Sequence, residues 1–154
     1  MGNAAIRTIN AVHANDPVEF VLLGGDNAEN GLQNELSWVM ALFNGQKSLA
    51  CDSGDKDDPV SGPANDGKDP FFAEGLAMPW KWVSGNHDML VAGNYAIDAT
   101  QKKIALGVDS PNGTRVYTSG GAITSGNGVV VADASRVLPG RSGFLDLIRK
   151  DKDG

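Results

Sequence analysis

Histidine is scarce in this chain: of 154 residues only His13 and His87 are histidine. Cysteine is scarcer still, and a lone Cys51 excludes an internal disulfide framework. No apolar run approaches the roughly 18 residues that a membrane-spanning helix requires. There is no Gly-x-Ser-x-Gly elbow, no Walker loop and no Cys-x-x-Cys, so serine-nucleophile, P-loop and dithiol chemistry are poor fits. Positive charge is in deficit, with a formal net charge of −6. That balance argues against a nucleic-acid backbone or an anionic membrane as the main partner. Any affinity for phosphate has to arise locally, from metal ions. No secretory leader pattern is visible, and a truncated start would make that uninformative about a parent protein. Localisation and oligomeric state stay open.

What is present suits one α/β domain. The length fits a single domain, and 41% hydrophobic residues can build a core. Residues 4–14 have a helical pattern, with Ala5, Ile6, Ile9 and Val12 on one face. Residues 18–23 and 80–83 are apolar runs that read as buried strands. The best helix covers residues 32–43, with Leu32, Leu36, Val39, Met40 and Phe43 on one face and Gly45 as a stop. Residues 50–75 are rich in Asp, Gly and Pro and read as a long insertion without regular structure. Beyond Asp88 the pattern weakens. Residues 114–117 and 129–132 are candidate strands, 111–114 a turn, and 142–150 a last short helix. No internal repeat is found.

Two short motifs carry the chemistry. The first strand ends in Gly24-Gly25-Asp26-Asn27-Ala28-Glu29-Asn30-Gly31. The second ends in Gly85-Asn86-His87-Asp88. Loops leaving strand ends in α/β folds are where ligands bind. A carboxylate among glycines is a plausible metal ligand, Asn86 offers a neutral amide oxygen, and His87 can hand a proton to a leaving oxygen. Asp88 is expected to orient the His87 ring. Strand, helix, strand in this order implies a parallel crossover, which brings both loops to one edge of the sheet.

The pair of motifs resembles the calcineurin-like metallophosphoesterase family. The resemblance implies a two-sheet sandwich flanked by helices, with long loop insertions here. It implies two divalent metal ions (Mn, Fe, Zn or similar), with Asp26 as the bridging carboxylate and Asn86 as an amide ligand to the second metal. It also implies that His87 contacts the phosphate and assists the leaving group. Glu29 stands at the family's second acidic position and is expected to brace the loop. The implied reaction is hydrolysis of a phosphate mono- or diester by a metal-activated hydroxide.

The departures are equally definite. The family also uses an Asp-x-His motif, a lone His and a Gly-His-x-His motif, and none of these occurs here. Two or three ligands cannot hold a dimetal pair. The expectation is therefore a single partial domain from a longer enzyme: residues 1–90 as its core, 50–75 an insertion, 91–154 an elaboration resembling a lid. The alternative is a non-catalytic, metal-free binding module on the same half-fold.

Other features read as structural. His13 ends a helix, where a cation suits the dipole. The acidic run Asp52, Asp55, Asp57 and Asp58 lacks the Gly and Glu that an EF-hand loop needs, and Asp151 to Gly154 is too short for one. Trp38, Trp80 and Trp82 are expected to pack in the core. Asn112-Gly113-Thr114 fits a glycosylation acceptor only in a secretory context.

Overall fold

A computed structural model describes residues 2–53, 69–89, 97–106 and 132–149. The fold is mixed α/β. The elements run α1 (Gly2–Asn15), β1 (Val21–Leu23), α2 (Gln33–Asn44), β2 (Gln46–Leu49), β3 (Phe71–Ala73), β4 (Trp80–Trp82), α3 (Ala99–Leu106) and α4 (Gly140–Ile148). None of the described helices is long and apolar enough to cross a membrane.

The described strands form two small sheets. β1 lies parallel to β4, with Val21 opposite Trp80, Leu22 opposite Lys81 and Leu23 opposite Trp82. β2 and β3 pair antiparallel, with a register shift between Gln46 and Leu49. The parallel pairing matches the expected crossover and sets the two motif loops side by side. Val21 N–H donates to the Pro79 carbonyl and Val83 N–H to that of Leu23, extending the ladder at both ends.

The chain between β1 and β4 passes through α2 and then the β2–β3 pair. Gly45 ends α2 with a φ of +84°, a backbone conformation that L side chains rarely adopt. The start of α2 is unusually well satisfied. Glu35 reaches back to accept the N–H groups of Leu32 (3.3 Å) and Asn30 (2.8 Å), and its other oxygen takes the Asn30 side-chain amide (2.7 Å). Gln33 and Asn34 donate to the carbonyls of Val137 and Ser135. A helix start leaves four N–H groups without helical partners, and here distant main chain fills two of them. Replacing Glu35 by alanine is expected to cost about 1–2 kcal/mol, read as a lower denaturant midpoint at unchanged slope.

The core lies where α2, β4 and α4 meet. Ala28, Leu36 and Phe144 form its buried centre, with Trp82, Met89, Leu147 and Ile148 packed against it. An aromatic row runs through it. Phe43 and Trp80 are 5.5 Å apart, Trp80 and Trp82 6.3 Å, and Trp82 meets Phe144 edge-on at 6.0 Å. Such pairs add about 0.5–1.5 kcal/mol each beyond the burial of their area. Trp80 and Trp82 thus take the packing role expected of them. Trp80 also donates its indole N–H to the Asn44 side chain.

Several boundaries differ from the sequence expectation. β1 starts at Val21 rather than at residue 18, because Val18 N–H is turned to His13 Nδ1 at 3.0 Å. His13, in the last turn of α1 as expected, therefore accepts a hydrogen bond that closes the α1–β1 turn. β3 falls inside the stretch read as an irregular insertion, and β2 just precedes it. α3 was not anticipated either. On α1, only Ile6 of the expected face is buried, and Val12 is exposed. α1 instead grips the β3–β4 connection through amides. Asn3 pairs with Phe72 and Glu74, and Asn10 with Gly75 and Ala77. The candidate strand at 114–117, nearly all of that at 129–132, the turn at 111–114, Asp55, Asp57, Asp58 and residues 151–154 lie outside the described residues.

Candidate functional site

β1 and β4 deliver the two motif loops from neighbouring parallel strands, and the loops interlock. Asp26 has a φ of +52° and is the one described non-glycine residue with positive φ. Its exposed carboxylate accepts the His87 N–H through Oδ1 at 3.0 Å. Gly25 and Gly85 lie back to back: a Cβ on Gly25 would sit 2.9 Å from the Gly85 nitrogen, and one on Gly85 would overlap Asp26. Glycine at both positions is what allows the two backbones to touch.

Asp88 is the centre of the interlock. It is 1% exposed. Its Oδ1 accepts the Ala28 N–H at 2.7 Å, and its Oδ2 accepts the Gly85 N–H at 2.9 Å and the Asn27 amide at 3.3 Å. This corrects the expected role of Asp88. The carboxylate is spent on main-chain donors from both loops, and the His87 ring is oriented by a different group. His87 Nδ1 lies 2.9 Å from the Glu29 carbonyl. A carbonyl only accepts, so Nδ1 carries the proton and Nε2 is the nitrogen left to meet a substrate. Glu29 takes this part through its main-chain carbonyl.

The environment favours the imidazolium form of His87. The hydrogen bond to Glu29 raises its pKa most. Desolvation opposes this, and the charges of Asp26, Glu29 and Asp88 add to the rise. Proton NMR is expected to show His87 titrating above the ordinary histidine value of about 6.5, with Asp26→Asn lowering it. By linkage, the stabilisation is complete below the unfolded-state pKa and fades as pH rises through the higher folded-state value.

Asp26, Asn86 and His87 are all exposed at this edge. Among the described residues, however, no group of three or more His, Cys, Asp or Glu side chains is placed to hold a metal ion. Asp26 and Asn86 are one carboxylate and one amide, which falls short of even one ion's donor set. The described residues do not by themselves fit a dimetal centre.

Other chemistry is disfavoured nearby. The start of α2 follows the first motif, where an anion could dock, but the carbonyls of Ser135 and Val137 already occupy it. Burial pushes the Cys51 thiol pKa up, away from a reactive thiolate. Ser53 and Ser135 both donate to Asp133 at 2.6 Å, which ties the segment at Ser53 to one 80 residues downstream. Sequence reasoning missed the Glu29 carbonyl and Asn27. Main-chain acceptors leave no mark in residue type, while Asn27, one residue beyond Asp26, was open to notice.

No family model, curated protein or solved structure matches the chain.

Proposed function

We propose that this chain supplies the Gly-Asp and Gly-Asn-His-Asp loops of a metal-dependent phosphoesterase acting on a phosphate mono- or diester. The observation that supports this most directly is the join between the loops. Asp26 and His87 stand at the ends of adjacent parallel strands, linked by His87 N–H to Asp26 Oδ1. On this reading the two small sheets belong to the two-sheet sandwich that the resemblance implies. Two divalent ions would require Asp26 and Asn86 together with donors that the described residues do not furnish.

This chain's own residues account for the departure of the alcohol. The Glu29 carbonyl fixes the ring through Nδ1–H. Imidazolium Nε2–H then hydrogen-bonds the ester oxygen. As a water-derived oxygen bonds to phosphorus and the ester P–O bond breaks, that proton passes to the leaving oxygen and His87 becomes neutral with Nδ1–H retained. Asp26 holds the His87 backbone and favours the charged ring.

In the active enzyme, His87→Ala is expected to lower turnover by about 10²–10⁴-fold while leaving Mn²⁺ binding nearly unchanged. Asp26→Ala is expected to abolish Mn²⁺ binding. Equal loss of turnover and metal affinity in His87→Ala would remove the proton-donor role. A second reading is a metal-free binding module, favoured by the closure of the two loops through their own hydrogen bonds. It predicts neither hydrolysis nor stabilisation by divalent ions in any protein that carries these loops.

A further inference from the structure

We propose that the two motif loops lock into their site geometry without a metal ion, organised instead by the buried carboxylate of Asp88. In a site organised by a cation, carboxylates from separate loops converge on the ion, and order appears when it binds. Here the carboxylates are directed into the protein's own backbone. Asp88 Oδ1 holds Ala28 N–H, and Oδ2 holds Gly85 N–H and the Asn27 amide. Asp26 Oδ1 holds His87 N–H, and the Glu29 carbonyl holds the His87 ring. Four of these five bonds run from one loop to the other. Only the one from Gly85 to Asp88 is local.

The packing supports the same conclusion. Asp88 is 1% exposed, and both of its oxygens accept from protein donors. Neighbouring Ala28 is 5% exposed and belongs to the core cluster with Leu36 and Phe144. The interlock is therefore continuous with the hydrophobic core. Gly25 and Gly85 place backbone against backbone, a contact with no space for a bridging group. Metal ions, if recruited, would add to a geometry already set. This inference holds whether or not the site hydrolyses phosphate esters.

Amide hydrogen exchange on the full chain tests it, with Ala28, Gly85 and His87 followed by NMR in EDTA and then in excess Zn²⁺. Protection is expected in EDTA already, with Zn²⁺ raising it less than about threefold. A rise of about threefold or more on adding Zn²⁺ would overturn the proposal. Asp88→Asn replaces one acceptor oxygen by a donor. It is expected to cut protection of Ala28 or Gly85 about tenfold in EDTA, with no recovery in Zn²⁺. Recovery in Zn²⁺ would overturn it. Should Asp88→Asn fail to fold, Asn27→Ala keeps the carboxylate and removes one bond between the loops. Its protection at Ala28 is expected to fall about threefold in EDTA, and restoration by Zn²⁺ would again refute the proposal.

Discussion

Asp88→Ala is expected to destabilise the protein by about 3 kcal/mol or more, although Asp88 lies in an exposed-looking Gly-Asn-His-Asp turn. The reason is what the substitution leaves behind. Ala28 N–H donates to Oδ1 and Gly85 N–H to Oδ2, and Asp88 itself is 1% exposed. Truncation strands these donors where water has little access, and a buried donor without an acceptor costs about 1–3 kcal/mol. The bonds to an ionised acceptor are also lost, and these are the stronger class. Urea unfolding of the variant should show a lower midpoint at unchanged slope. A midpoint within error of the parent protein would mean that water reaches these amides and that Asp88 is not the organiser. If Asp88 mainly served His87, its loss would spare stability.

That contrast shows where the sequence was legible. The two motif loops could be placed because each follows a short strand rich in large apolar side chains, Val21–Leu23 and Trp80–Trp82, and because strand, helix, strand predicts parallel neighbours. α2 was legible from its apolar face and its Gly45 stop. β2 was not, because Gln46, Lys47 and Ser48 are polar and exposed and only Leu49 is buried. α3 carries little amphipathic pattern, with Lys102 and Lys103 in its middle. At the site, Asp26, Asn86 and His87, the residues singled out by type, all lie exposed at one edge. They misassigned the partner of His87, because an acid next to a histidine in sequence competes with any carbonyl that folding brings near. Asp88 and Glu29 exchanged their expected roles in orienting the ring for that reason. The start of α2 hid in the same way, since its acceptors, the carbonyls of Ser135 and Val137, lie about a hundred residues downstream.

Gly85→Ala is expected to separate the loops at a cost of about 3 kcal/mol, at the upper end for overpacking. The added methyl would overlap both the Asp26 side chain and the Asp26 backbone nitrogen. A side chain alone could swing away. The backbone nitrogen cannot, because Asp26 is held at a φ of +52° and the adjoining Gly25 at +100°. Relief requires the two loops to move apart, which breaks the His87 N–H bond to Asp26 and strains the Asp88 bonds beside it. Gly24→Ala is the matched control. It lies one residue from Gly25, and a Cβ there meets nothing within 4 Å. Its expected cost is within about 0.5 kcal/mol. A large difference between the two variants ties the cost to the contact between loops rather than to alanine in a glycine-rich turn. Equal effects would mean that the loops accommodate a side chain at Gly85, and the close backbone approach would then not be what holds Asp26 against His87.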